Sequence, residues 1–247
     1  MAARELGVTV THTPHVLTDA TADLTIALIL AATRRLIEGD DLVRRGGFLG
    51  WKPLMLLGTN LTGKRLGIIG MGRIGSAVAK RAHALGMEIV YHARSVNAEA
   101  ERTWGARRVD FPELLRTSHV ISIHCPLTRD TRHLFDREAI AAMRGDAWLI
   151  NTARGPIVDE VALADALAEG RIAGAGLDVY EHEPAVEPRL LRMPNVVLLP
   201  HIASATVETR SEMARIVAED VRRVLLGGMP LHPVVLQPDE MNRLDRG

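Results

Sequence analysis

Cysteine is nearly absent: the 247-residue sequence contains one, Cys125. A single thiol excludes an internal disulfide framework and leaves no second thiol for a zinc ribbon, so no metal is expected. Aromatic residues make up 3% of the chain. That argues against an aromatic-rich β-sandwich and for tight helix-on-sheet packing by Ala, Leu, Val and Gly. An excess of one charge is missing too: 30 basic residues balance 30 acidic ones. No global electrostatic footprint therefore points to nucleic acid or to an anionic membrane surface. The most apolar stretch, 24–32, is about nine residues, far short of the ~20 a membrane span needs. The first residues carry no basic-then-apolar leader. The expected object is a soluble, cytoplasmic α/β protein of one large domain or two small ones, long enough to bury a core without staples.

What is present is alternation. Short apolar runs at 65–69, 88–91, 120–123, 148–150, 173–179 and 196–199 read as strands. Stretches with helical spacing at 74–85, 136–143 and 159–169 lie between them. A period switching between about 2 and 3.6 residues predicts βαβ units and a doubly wound parallel sheet, the Rossmann-type arrangement. Two longer helices are predicted at 19–38 and 206–226. The tail, with Pro230, Pro233, Pro238 and a charged end, is expected to fray.

Gly70-Met71-Gly72-Arg73-Ile74-Gly75 follows the first of these strands and opens a helix. In that setting each glycine has its own use. Gly70 permits the tight turn, Gly72 the close approach of backbone N–H groups to a pyrophosphate, and Gly75 the helix–strand packing. The alternative is a plain turn with a packing glycine. A dinucleotide site that takes NAD places Asp or Glu about 20 residues on. Ala93 stands there instead, followed by Arg94 and Ser95. Without the carboxylate nothing repels a 2′-phosphate, Arg94 can pair with one, and Ser95 can donate to it. NADP(H) is thus favoured, with NAD(H) as the alternative and a solvated Arg94 as the bland reading.

Further strand ends carry Asn151-Thr152-Ala153-Arg154-Gly155-Pro156, then Gly176-Leu177-Asp178-Val179-Tyr180-Glu181-His182-Glu183-Pro184, then Leu199-Pro200-His201-Ile202-Ala203-Ser204. With the glycine loop and a His124-Cys125-Pro126-Leu127-Thr128 turn, in this order, the chain resembles the D-2-hydroxyacid dehydrogenase family. The similarity is greatest to its glyoxylate/hydroxypyruvate reductase branch, and it runs from about residue 7 to about residue 226.

The resemblance implies roles. Arg154 would clamp the carboxylate of a 2-oxo acid and polarise its carbonyl, for which a rigid guanidinium fork is suited. His201 would be the general acid. Glu183 would orient His201 and favour its protonated form. Glu181 competes for that part, and on the residues alone both acids read as solvated loop charges; the match places the acid immediately before Pro184. Asp178 would sit against the nicotinamide carboxamide. Cofactor contacts are also expected from Arg73, Ile74, Cys125, Pro126 and Thr131, and from Thr152, Ala153, His201 and Ser204. Cys125 reads as a wall of the adenosine pocket rather than a nucleophile, and His182 as a solvent-facing neighbour. The apolar segment 50–55 is expected to belong to a dimerisation arm, so that residues 17–57 would form a homodimer contact.

The same resemblance implies a second lobe for substrate, built mostly from residues before the first long helix. About 16 residues precede it here, against the ~50 of a self-standing domain. The expected division is a remnant of the substrate domain at 1–16, a dinucleotide-binding domain at 17–203, and a helix with tail at 204–247, as in an N-terminally shortened member. The function implied is NADP(H)-dependent reduction of glyoxylate or hydroxypyruvate to the D-2-hydroxy acid. Two alternatives stand beside it: a non-catalytic dinucleotide-binding or interaction module, and a related dehydrogenase acting on another small acid such as phosphite.

Overall fold

The computed structural model describes residues 2–234. Its parallel sheet comprises β1 (Arg65–Ile69), β2 (Glu88–His92), β3 (Arg107–Arg108), β4 (Val120–Ile123), β5 (Trp148–Asn151), β6 (Gly174–Leu177) and β7 (Val196–Leu198). The order is β3-β2-β1-β4-β5-β6-β7. Helices are α1 (Ala2–Glu5), α2 (Thr18–Thr33), α3 (Leu36–Arg44), α4 (Arg73–Ala84), α5 (Ala98–Trp104), α6 (Phe111–Thr117), α7 (Arg137–Ala141), α8 (Glu160–Ala168) and α9 (Val207–Leu225).

Alternation along the strands divides the core between two faces. Leu66, Ile68, Val120 and Ile150 join one apolar cluster with Leu28 and Ile29 of α2 and Val78 of α4. Ile69, Ile121, Ile123 and Leu149 join the other, with Leu114, Ile140 and Leu163 of α6, α7 and α8. Central strands covered on both faces read as continuous apolar runs, which is why they are visible in the sequence. Fit is close. A Cβ added at Gly176 would lie 2.7 Å from Leu28 Cγ, and emptying that contact by Leu28→Ala would cost about 2–5 kcal/mol.

The predicted helix at 19–38 is two helices. Arg35 takes a left-handed φ of 54° between them. The cause lies outside the helix: the Thr59 N–H donates to the Thr33 carbonyl at 2.8 Å. A carbonyl that would otherwise continue the ladder is thereby claimed, and Arg35 bonds Glu38 through Nε at 2.9 Å to open α3. Four elements have no counterpart in the sequence expectation: α1, α5, α6 and the two-residue edge strand β3, whose arginines are exposed. All are short, and α5 and α6 carry Asn97 and Asp110 as N-caps.

The chain divides into two compact units, one spanning Thr18–Ala203 and holding the whole sheet, the other drawn from both chain ends, up to Leu17 and from Ser204 on. In the second unit α9 is N-capped by Thr206 and buries Thr209, Ile216 and Asp220. Asp220 accepts the Leu231 N–H at 2.7 Å and pairs with His232 Nδ1 at 3.2 Å. Val234 N–H donates to the Val10 carbonyl at 2.8 Å. Pro230 and Pro233 therefore belong to a segment tied down by these bonds, contrary to the frayed tail expected; Pro238 and the charged end lie outside the described residues. No described helix is long and apolar enough to cross a membrane.

Candidate functional site

The strand order reverses between β1 and β4, and the carboxyl ends of strands at such a reversal are where α/β sheets bind ligands. Gly70 follows β1 with φ 93°. Its missing side chain is a packing requirement, since a Cβ would lie 2.7 Å from the Cys125 backbone nitrogen beyond β4. Gly75 is the tightest glycine of the loop: a Cβ there would meet the Gly70 carbonyl at 2.1 Å. Gly72 differs. A Cβ at Gly72 would meet nothing within 4 Å, so no contact within the protein demands glycine. Gly72 also caps α4 without a side-chain hydrogen bond, whereas α5 to α9 are each capped by an Asn, Asp or Thr side chain. An uncapped helix start beside an open cradle, with exposed Arg73 next to it, fits an anionic pyrophosphate. Ile74 is half-buried against the α2–α4 cluster.

Ala93, Arg94 and Ser95 leave β2 directly, with Arg94 and Ser95 exposed. A residue that the motifs do not mark organises this turn. Arg108 at the end of β3 donates from Nε to the Ala93 carbonyl at 3.0 Å and from Nη2 to the Arg94 carbonyl at 3.1 Å. Across the switch point, burial pushes the Cys125 thiol up to about 11, so it is protonated at neutral pH and inert as a nucleophile. Pro126 and Thr131 share one loop, where the Thr131 hydroxyl donates to the Pro126 carbonyl at 2.7 Å.

The ends of β5, β6 and β7 bring Arg154, Asp178, Glu183 and His201 into one region of the larger unit. Asn151, buried at the end of β5, shapes the Arg154 turn: its amide donates to the Arg154 carbonyl at 3.0 Å and its oxygen accepts the Ala153 N–H at 3.0 Å. Gly155 then lets the turn meet the next loop; a Cβ there would lie 1.8 Å from the Tyr180 carbonyl. Thr152 is buried, and its hydroxyl bonds Thr25 of α2 at 2.9 Å. The Arg154 guanidinium is exposed, bonding the Ala153 carbonyl at 2.6 Å.

Glu183 Oε2 and His201 Nδ1 are 2.9 Å apart. An ionised carboxylate only accepts, so Nδ1 carries the proton, and Nε2 makes no hydrogen bond among the described residues. Burial pushes the Glu183 carboxyl up, but the His201 hydrogen bond, the Tyr180 N–H and the charges of His201 and Arg154 outweigh it and hold the carboxyl below its usual range. His201 itself has a left-handed φ of 55°, a conformation costing a non-glycine residue about 1–2 kcal/mol. Asp178 holds the turn in place. Fully buried, it accepts the N–H groups of Ile202 and Ala203, each at 2.8 Å. Both its oxygens thus face the His201 turn. An apolar cavity of 310 Å³, lined by Tyr180, Pro184, Val186 and Leu199 among others, adjoins Glu183 and His201.

Glu181 is not a solvated charge. Its carboxylate pairs with His133 Nε2 and accepts the Glu160 N–H at 3.4 Å. That removes it from competition for His201, and the signal is absent from the sequence because its partners lie 48 and 21 residues away. His182 is exposed. Ser204 lies in the second unit, where its carbonyl accepts from Arg210 Nε at 3.3 Å. A carboxylate acceptor at Nδ1, an exposed guanidinium and a histidine whose Nε2 makes no hydrogen bond among the described residues can together bind an anion and deliver a proton.

Residues 26–203 match the family described as D-isomer specific 2-hydroxyacid dehydrogenase, NAD binding domain. The chain is 51% identical to the glyoxylate reductase of Thermococcus litoralis over 232 residues, covering 92% of this chain and 70% of that protein. Among solved structures it superposes on the TT0316 protein of Thermus thermophilus with TM-score 0.89 at 49% identity, covering 95% of this chain and 74% of that one. It also superposes on an NADPH-dependent glyoxylate/hydroxypyruvate reductase of Sinorhizobium meliloti in complex with NADP and malonate, with TM-score 0.82 at 37% identity, covering 95% and 72%. This match over most of the chain establishes it as a member of the D-isomer-specific 2-hydroxyacid dehydrogenase family, an oxidoreductase of that type with a nicotinamide-dinucleotide-binding domain.

Proposed function

We propose that the chain reduces a small 2-oxo acid, glyoxylate or hydroxypyruvate, to the D-2-hydroxy acid with NADPH. The observation that carries this reading is the Glu183–His201 bond, which commits Nδ1 and leaves Nε2 without a hydrogen bond among the described residues. Arg154 binds the substrate carboxylate and draws electron density from the carbonyl. His201 gives its Nε2 proton to the carbonyl oxygen, and Glu183 stabilises the imidazolium beforehand. The bound dinucleotide supplies the hydride. Gly70, Gly72, Gly75 and Arg73 would cradle its pyrophosphate, with Ala93, Arg94 and Ser95 at the ribose. NADP(H) over NAD(H) is supported by the missing carboxylate at Ala93, by exposed Arg94, and by the NADP in the Sinorhizobium reductase.

The domain division read with this function is a substrate-lobe portion at 1–16, a dinucleotide domain at 17–203, and the α9 region from 204 on. Phe48, Leu49, Trp51, Leu54 and Leu57 are exposed together in one arm. Such a patch supports a homodimer through residues 17–57. The test is NADPH consumption by the purified chain with either 2-oxo acid. Tight NADPH binding without turnover would overturn the reductase reading in favour of a binding module. Titrating NADPH and NADH into wild type and Arg94→Ala checks the cofactor: Arg94→Ala should lose roughly tenfold or more in NADPH affinity alone, and tighter NADH binding by wild type would refute the preference.

A further inference from the structure

Glu160, the first residue of α8, is 6% exposed and plays no part in the chemistry above. A carboxylate at a helix start ordinarily caps that helix. Here the cap is already in place, because Asp159 Oδ1 accepts the Ala162 N–H at 2.9 Å. Glu160 turns instead to the loop after β6. One oxygen accepts the Glu181 N–H and the other the Glu187 N–H at 3.1 Å. These two tethers bracket residues 182–186 and so fix both ends of the segment that carries Glu183. Inside the bracket Glu183 Oε1 accepts the Tyr180 N–H at 3.1 Å, and its other oxygen holds His201. Glu181 answers Glu160 by accepting its N–H. Burial pushes the Glu160 carboxyl up, while the Glu181 and Glu187 N–H groups oppose this; Glu181 and His182 act on it through space.

We infer that Glu160 is a positioning residue for the Glu183–His201 pair, setting the imidazole tautomer from α8 through the 181–187 loop. The inference rests on the reductase reading for its kinetic meaning but not for its test. Two acceptors are needed for two N–H donors, and Glu160→Gln would present an amide N–H to one of them. Glu160→Asp keeps the charge and shortens the reach. The primary readout is the 15N-edited imidazole spectrum of His201 in the intact chain, assigned by loss of the signal in His201→Asn. Wild type should show the Nδ1–H tautomer of the neutral ring. Glu160→Gln should lose at least half of that excess, and Glu160→Gln in a Glu183→Gln background should change nothing further. In turnover assays kcat should fall on the order of tenfold to a hundredfold, with the NADPH KM unchanged.

A wild-type tautomer in folded Glu160→Gln overturns the inference, as does unfolding of both Glu160 variants, which would make the residue a determinant of the fold. If wild type lacks turnover but the tautomer still responds, the reductase reading fails and this one survives.

Discussion

The carboxyl ends of one sheet build two surfaces by opposite means. At the β1–α4 turn the surface is backbone, made available by what is missing: no Cβ at Gly72 and no side-chain cap on α4. At the ends of β5, β6 and β7 it is side chains held by other side chains. Asn151 holds the Arg154 turn, Asp178 the His201 turn, Glu160 the 181–187 loop, and Glu183 the imidazole. The first kind of site is damaged by adding atoms and the second by removing them. A methyl group therefore probes the first, and the second is probed by truncation or, where its loops meet at Gly155, by a methyl group as well.

The sharpest test uses a glycine that belongs to the side-chain region. Gly155→Ala drives a Cβ into the Tyr180 carbonyl at 1.8 Å, backbone against backbone, where no rotamer can give way. The expected loss is about 3 kcal/mol or more of stability in urea titration, with turnover lost as well. Wild-type stability would break the claim that the Arg154 and Glu183 loops are locked together. His201→Asn should lower turnover by about 10² to 10⁴ and change NADPH affinity, measured by fluorescence, far less than turnover; a loss of affinity as large as the loss of turnover would blur the separation of the two surfaces. Because the Glu183 carboxyl sits below its usual range, its charge persists on acidification. Reduction should then not decline between about pH 7 and about pH 5, and should fail only below the ordinary carboxylate value of ~4.3. An acid limb above that value would contradict the pairing. The smallest effect is expected at the backbone surface: Gly72→Ala should weaken NADPH about tenfold with melting temperature unchanged, while a lowered melting temperature would mean that Gly72 packs like Gly75.

Much of the cofactor region was legible in the sequence because its signals are local. The glycine spacing and the apolar runs of β1, β4 and β5 sit within a few residues of the loop and strands they encode. The family motifs also marked Arg154, Glu183 and His201. Less local features escaped. Nothing within 19–38 shows that Thr59 claims the Thr33 carbonyl and ends α2. Nor does anything near Glu181 show its pairing with His133. Arg107 and Arg108 carry no apolar strand signal, yet Arg108 pairs with Tyr91 in register as an edge strand.

By itself, then, the amino-acid sequence determined the central strands, the glycine loop and which side chains stand as candidates at the strand ends, since hydrophobic periodicity and glycine placement act over one or two turns of chain. Only the tertiary structure decided what each polar group faces. Asp178, Glu160 and Asn151 are ordinary acids and amides until folding brings particular N–H groups within reach, in the case of Glu160 and Asp178 from 21 to 27 residues away. A buried carboxylate must find such donors or bear its desolvation, and which donors arrive is a property of the packed loops.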